Sequence, residues 1–500
     1  MSSSYFHRAV AQSRRNPCLS DLCEFLQQPI RAHNQSRTVC IDIFEQPVPV
    51  TQREIFAKDF GDELRRPLNQ PELLALDHGG RILIIEDVSK PALEELGSFF
   101  DIDPWFFASY VHRTWRKTST PSPVSCSLPS REKKQNFLSL HYHRIVALQQ
   151  KDTSLRSVTR NTNQQRKAVI LPSLGGERIG LVQHSAAVML VDPPGSFGPV
   201  PIILVDPPIK NNYIPSKRNN RLPPNLDSKS FLGGCEDFSD IAVPVTPRDT
   251  GNHHHVAQAS DRAMLDELVY YWTHQRPQGF DASAPSLQHL SYYPLKIVAA
   301  EWVNYIAVLG LSLREYELST SLTGNLVAEL ESLNTNLRIL QGWRRRILST
   351  QAKLQRNMRF IRTRSDSSST EDWKDLFEDY EFLATEVASY GEKLEAMVPL
   401  VTSAAALIES RRALTETANV TRLTALAVIF VPLSYVAALF SMADSFAPGG
   451  QLFWVYFVTA VPLAVGVGVV AKVDVVVVVR TFWEWARRWM RLYGSRIVSL

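Results

Sequence analysis

Two apolar runs close the chain, Leu423–Met442 (LTALAVIFVPLSYVAALFSM) and Leu452–Ala471 (LFWVYFVTAVPLAVGVGVVA), with nine residues between them. Each holds 20 residues and no charged side chain, the length at which a helix crosses ~30 Å of hydrocarbon. The pattern predicts two transmembrane helices joined by a tight hairpin over 443–451. Just upstream, apolar positions at Phe377, Tyr380, Leu383, Val387, Tyr390, Leu394, Met397 and Val401 step by three and four, a seam for helix packing. No turn signal separates that seam from the first apolar run. The reading is therefore one stalk helix over 373–442, ~105 Å long at 1.5 Å per residue, able to pass movement mechanically into the membrane. The alternative is two helices meeting near Pro399.

The first two hundred residues mix periods. Arg37–Phe44 and Arg81–Glu86 are β-like runs of branched residues. Phe137–Val146 alternates as a strand, and Glu177–Val191 with Val200–Val205 reads as a strand pair. Between them lie helical patterns at 52–65 and 91–100, and Asp103-Pro104 supplies an N-cap followed by a first-turn proline. The fold class is thus an α/β cytosolic domain over 37–256, preceded by an arm or short helices over 1–36. Lys117–Lys134 and Lys210–Lys229 read as loops or disordered inserts. From 257 to 372 the pattern is helical, over 261–273, 295–320 and 326–361, until RTRSDSSSTED at 362–372 breaks it.

Charge orients the hairpin. The loop over 443–451 has no Lys or Arg, whereas Arg411, Arg412 and Arg422 precede the first run and Lys472, Arg480, Arg487, Arg488 and Arg491 follow the second. Basic residues are retained on the inner side. Both termini are expected there, with only the loop outside. Trp483, Trp485 and Trp489 interleave with the arginines of the 472–500 tail, which suits an anchor at the lipid interface. The expected partner is membrane lipid. A net charge of +4 with scattered basic residues gives no footprint for nucleic acid, and Arg344–Arg346 reads as a solvated or salt-bridged helix face. The five cysteines, Cys18, Cys23, Cys40, Cys126 and Cys235, lie in the segment placed in the cytosol and are expected as reduced thiols.

The assembled layout resembles the CorA family of magnesium channels. Thr424–Met442 carries the resemblance, through Ile429-Phe430, Pro432-Leu433-Ser434 and Phe440-Ser441-Met442. Ile84–Thr114, Phe137–His143 and Ser410-Arg411-Arg412 resemble fungal CorA-like proteins, while the rest of 115–260 carries little such likeness. The resemblance implies a homopentamer around one pore lined by the first span, with magnesium or another divalent cation as the transported or regulatory ion and no other cofactor. It also implies a Gly-Met-Asn signature after the first span, but this chain reads Ser441-Met442-Ala443. Ala443 offers no oxygen to a hydrated cation, and Ser441 resists the conformations open to glycine. Asp444, the loop's one acid, either rings the outer mouth or merely ends the helix in solvent.

Carried over by alignment, the pore face is Thr417, Val420, Leu423, Ala427, Val431, Ser434 and Ala438, reaching Ser441 or Met442. Val420 and Leu423 would form an inner apolar constriction and Ser434 a hydroxyl ring. The competing account of each is ordinary helix packing, and Thr424 is expected to bond back to its own helix. Asp474, beside Lys472, reads as a paired charge at the membrane edge. His253–His255 reads as a surface loop rather than a metal site. Asp261, Asp266 and Glu267 are candidates for a regulatory magnesium site that spacing cannot distinguish. The sequence shows no phosphate loop, nucleophile elbow or His-Glu zinc motif, so no enzyme reading is supported. The alternative function is a non-conducting, membrane-anchored relative acting as scaffold or regulator.

Overall fold

The structure is a computed structural model that describes residues 4–29, 36–44, 51–56, 59–65, 78–112, 128–148, 157–174, 177–192, 199–208, 213–215, 228–230, 263–318, 326–364, 370–441 and 453–472. The chain divides into two compact units, Met1–Ser321 with Arg338–Val398, and Leu322–Leu337 with Pro399–Leu500.

The first unit is built on a ten-stranded mixed sheet. Its spine is a long strand, β7 (Glu177–Val191). Along one side β7 pairs antiparallel with β4 (Phe137–Leu148) through twelve registered positions. Along the other it pairs with β6 (Lys167–Leu174) at one end and β8 (Val200–Val205) at the other. β8 in turn lies parallel to β3 (His78–Glu86), and β1 (Arg37–Phe44) and β2 (Thr51–Ile55) continue that edge. Every residue of β8 is buried, which explains its unbroken VPIILV: a strand covered on both faces has no use for alternation. β5 (Ser157–Arg160), β9 (Tyr213–Pro215) and β10 (Ser228–Ser230) complete the sheet. Segment 52–65, expected as a helix, is β2 followed by a short helix at Phe60–Arg65, because Thr51–Ile55 is held by pairing with β1 rather than by its own period. Most of the expected inserts lies outside the described residues.

Of the two expectations for the N-terminal residues, an arm or short helices, the structure has short helices. Helices α1 (Ser4–Ser13) and α2 (Ser20–Gln27) bury Tyr5, Ala9, Leu22, Phe25 and Leu26 in the main core. They pack beside α4 (Lys90–Phe99) and α5 (Pro104–Val111), α3 being the short helix at Phe60–Arg65. Gly97 makes the close approach possible, since a side chain there would run into the Tyr5 ring. The Tyr5 hydroxyl donates to Ile102 O at 3.1 Å. α5 starts as expected, with Asp103 accepting from Trp105 N at 3.0 Å and Pro104 in the first turn.

A buried ion pair ties this layer to the sheet. Arg166 Nε donates to Asp206 Oδ2 at 2.8 Å, and its Nη2 reaches Tyr110 O at 2.7 Å. The Tyr110 hydroxyl and Ser185 N complete the Asp206 carboxylate, each at 2.8 Å. Neighbouring Asp87, at a positive φ of 51°, accepts from Asn163 N and Gln164 N. Burial holds its carboxyl up at about 6.

Three long helices finish the unit after α6 (Pro129–Glu132) and α7 (Met264–His274). α8 spans Leu287–Leu318, α9 Leu326–Arg364 and α10 Glu371–Phe440. Trp302, Tyr305, Trp343 and Tyr380 are fully buried among them. Tyr380 donates to Leu295 O at 2.9 Å and Trp373 Nε1 to Ile361 O at 3.2 Å. The seam of α10 buries Trp373, Leu376, Tyr380, Leu383, Val387 and Leu394, the expected stripe with its first members shifted toward Trp373. Arg344 pairs with Glu395 at 3.3 Å on the surface, and Arg346 lies over the Trp343 ring. Cys18, Cys23 and Cys40 are free thiols.

Removing the Arg166 guanidinium leaves Asp206 buried without its counter-ion. Arg166→Met is expected to lower the domain's unfolding free energy by about 3–5 kcal/mol in denaturant titrations followed by tryptophan fluorescence.

Burial also holds several histidines neutral. His112 is pushed down to about 4, first by burial and then by Arg166, Arg356 and Lys353. Its neutral Nδ1–H donates to Asp21 Oδ2 at 3.1 Å. His141, His143 and His184 are lowered well below 6.5, again chiefly by burial. A depressed base contributes stability above its ordinary value and loses it as pH falls toward the folded one. At pH 5 the loss from His112 alone is about 2 kcal/mol. Asp87, raised, acts in the opposite sense between about 6 and 3.8, one group against four. The melting temperature is expected to fall between pH 7 and 5, and less steeply in His141→Gln; a flat profile would refute the neutral-histidine core.

Candidate functional site

α10 carries two kinds of surface on one unbroken helix of 70 residues, with Pro399 and Pro432 inside it. Up to Val398 it belongs to the sheet-bearing unit, and from Pro399 onward to the second. The second part and α11 (Phe453–Lys472) form the candidate site.

Two described helices are long and apolar enough to cross a membrane by length and composition, Leu287–Glu317 and Glu371–Phe440. They differ in what covers them. The apolar window of Leu287–Glu317 is half buried inside the protein, whereas that of Glu371–Phe440 is only 6% buried. The former is a core helix, since Trp302, Tyr305 and Leu309 fill the domain interior. In the latter, Leu423, Phe430, Val431 and Tyr435 are each more than 60% exposed. α11 adds Trp454, Phe457, Val458 and Val461, all more than half exposed, over a 20-residue helix whose one charge is Lys472.

The two helices pair through one narrow seam. Phe440 meets Tyr456 edge to face with ring centroids 6.1 Å apart. One turn further from the loop on each helix, Val436 and Ala460 are buried. At 3.6 residues per turn, Ala427, Ser434 and Ala438 lie about 180° around α10 from Val436. Val420, Leu423, Val431 and Ser441 fall within about 40° of the same line, and Thr417 sits about 80° off it. The residues carried over as a pore face are therefore on the side opposite α11, and all are exposed on the single chain. Val436, Phe440, Tyr456 and Ala460 were not singled out from sequence; nothing distinguishes them from other apolar residues until the hairpin register is known.

The hydroxyls of this face bond inward. Thr417 donates to Ala413 O at 2.7 Å, Thr424 to Val420 O and Ser434 to Val431 O, both at 2.8 Å. Each oxygen keeps acceptor capacity while its proton is occupied. A cation passing such a face would meet oxygen lone pairs, not hydrogens.

Met442, Ala443 and Asp444 lie outside the described residues, as do Asp474, the tail tryptophans, His253–His255 and Asp261. Asp266 is engaged by Arg37 at 2.8 Å. Among the described residues no cluster of three His, Cys, Asp or Glu side chains could hold a metal ion.

No family model matches the sequence, and a search of characterised proteins finds no significant match. Among solved structures, one similar chain is a CorA magnesium transporter from Methanocaldococcus jannaschii. It is 11% identical, with 87% of this chain and 98% of that one covered, at a TM-score of 0.37. An overlap that loose leaves the functional reading to the residues themselves.

The hairpin geometry has a direct test. All five native cysteines precede residue 236, so introduced thiols in the helices have no neighbours in sequence. Phe440→Cys with Tyr456→Cys is expected to cross-link within one chain, whereas Ser434→Cys or Ala438→Cys cross-links, if at all, between chains. Intrachain capture of position 438 by position 456 would overturn the assigned faces.

Proposed function

We propose that this is an integral membrane protein of CorA-like design, in which α10 and α11 span the bilayer and the exposed face of α10 lines a path for magnesium or another divalent cation. One observation carries the reading: a single helix is packed by its seam in the domain and then presents an apolar, chargeless stretch that, apart from its contact with α11, the described residues leave largely exposed. Apolar patches of this extent are not left in water. Lipid suits the large side chains Leu426, Phe430 and Leu439, and further copies of the chain suit the smaller ones. Ala427, Ser434, Ala438 and Ser441 let backbones approach. The basic residues flanking the spans favour both termini inside.

The assembly proposed is a homopentamer, by resemblance alone. In it Val420 and Leu423 form an apolar ring that can close by dewetting, and Ser434 a ring of oxygens. Asp444 replaces the missing signature asparagine as the outer attraction for cations. A second reading has its own support. Magnesium sheds its water reluctantly and is taken by rings of oxygen ligands; Ser441-Met442-Ala443 places a methyl group where that ring belongs. On this reading the chain keeps the assembly and has lost conduction, acting as a scaffold or regulator.

Flux separates the two. In proteoliposomes loaded with a magnesium-sensitive dye, the channel reading expects inward flux that rises in Ala443→Asn and falls several-fold in Asp444→Asn. Cobalt hexammine, a mimic of the hydrated ion, should block the Ala443→Asn protein better than the parent. No flux from either protein, with a pentamer retained in detergent, favours the scaffold.

A further inference from the structure

The sheet-bearing unit holds a cleft that the transport reading does not use. It lies between α5, α6, β4 and the last turns of α9, an open groove with a cavity volume of about 70 Å³. Four cationic side chains line it, Lys133, Arg356, Arg359 and Arg364, against one carboxylate, Glu132. Glu132 is shared by Arg359 at 3.1 Å and Arg356 at 3.7 Å. Arg364 donates to Gln135 O at 2.6 Å. Four positive charges and one negative leave the lining at +3.

Helix geometry explains the convergence. Positions 356, 359, 360 and 363 follow steps of three and four, so they share a face of α9. That face meets the start of β4, where Ser139 Oγ donates to Ser109 Oγ at 3.0 Å, Ser109 Oγ donates on to Phe106 O at 2.7 Å, and His141 Nδ1 lies 2.7 Å from Ser185 Oγ. The inner wall is polar beneath the guanidiniums, but its hydroxyl protons are committed within the protein, which leaves anion binding to the cationic side chains. Trp105, Phe137 and Phe360 give it aromatic sides.

The neighbours register the imbalance. Lys353, one turn before the arginines, is pushed down to about 8 by burial and then by Arg356. His112 and His141 are lowered by burial first, with Arg166, Arg356 and Lys353 adding to it. Each of these groups resists another proton partly because the space beside it is already positive.

We propose that this cleft binds a multiply charged phosphate anion, held by Arg356, Arg359 and Arg364 with Lys133 at the mouth. Guanidinium forks match phosphate oxygens two at a time. Glu132 keeps two of them spread while the site is empty of anion and competes with the ligand for them. A soluble polyphosphate and a phosphoinositide headgroup share this chemistry. The inference is independent of ion conduction, since binding requires no flux.

The test uses the full chain in nanodiscs of neutral lipid, titrated with inorganic tripolyphosphate in a calorimeter. Saturable binding that weakens with salt is expected. Arg359→Gln should weaken it roughly tenfold or more, and Glu132→Gln should tighten it several-fold. The opposite signs separate a site from a surface ion pair, because both changes break the same pair and a structural role would move them together. Circular dichroism melts identify variants that fail to fold, and Lys133→Gln, outside the ion pair, supplies a milder loss. Repeating the titration in discs carrying phosphatidylinositol bisphosphate assigns the source: suppressed tripolyphosphate binding indicates the headgroup, unchanged binding the soluble anion. Absence of saturable binding, or binding indifferent to both Arg359→Gln and Glu132→Gln, overturns the proposal.

Discussion

Everything in the second unit depends on apolar surface that the described residues do not hide from water. Leu423, Phe430, Val431 and Tyr435 on α10, with Trp454 and Val458 on α11, each expose more than half their area. At ~25 cal/mol per Å² such surface cannot remain hydrated on a stable monomer. Among the described residues the helix pair meets where Phe440 packs against Tyr456, with Val436 and Ala460 buried one turn further on. Two different solvents are then called for around one helix. On the proposed membrane reading, lipid would take the bulky sides. The opposite line, where Ala427, Ser434, Ala438 and Ser441 recur, gains little from lipid and much from close approach of another helix or a narrow aqueous path.

The sheet-bearing unit meets the opposite condition at Asp206, where charge is buried and partnered. Asp206 receives Arg166, the Tyr110 hydroxyl and Ser185 N. A pair so enclosed contributes little net stability relative to apolar residues, yet it penalises any arrangement that separates its partners. It connects the C-terminal end of α5, the start of β6, the middle of β7 and the end of β8. The sheet's registers near the spine are fixed by this demand as much as by apolar area. The neutral histidines around it mean that acid adds charge to a core with few ways to accept it.

Long elements were legible in the sequence and short ones were not. β4, β7 and β8 carry enough branched and alternating residues to declare themselves, and α10 was read nearly end to end because its seam and its apolar run share a helical period. β5, β9 and β10 have three or four residues each; what makes them strands is a neighbour, not a local pattern. α1 and α2 could be read only as an arm or short helices because their burial depends on Gly97 lying beneath Tyr5, a contact across more than ninety residues of chain. The candidate pore face was legible as a periodicity, and the hairpin seam that gives it a direction was not. The cationic cleft had no sequence signal at all. Its lysine and arginines come from 133 and 356–364, and no local motif joins them.

The altered signature bears on what a conducting path could select. A ring of side-chain amides distinguishes cations by holding their water in place, a matter of geometry. A ring of carboxylates at Asp444 would distinguish them by charge, a matter of field. With Ala443 contributing only methyl groups, the hydration shell would meet no matched oxygens until Ser434, where the hydroxyl proton is committed to Val431 O and the oxygen alone faces outward. A path so built concentrates divalent ions at its mouth but discriminates poorly among them. On the proposed arrangement its control would come from an apolar ring of Val420 and Leu423, whose opening would be a question of wetting rather than of ion chemistry. Conduction and scaffolding therefore differ less in fold than in whether that ring, at the inner end of the span, ever admits water.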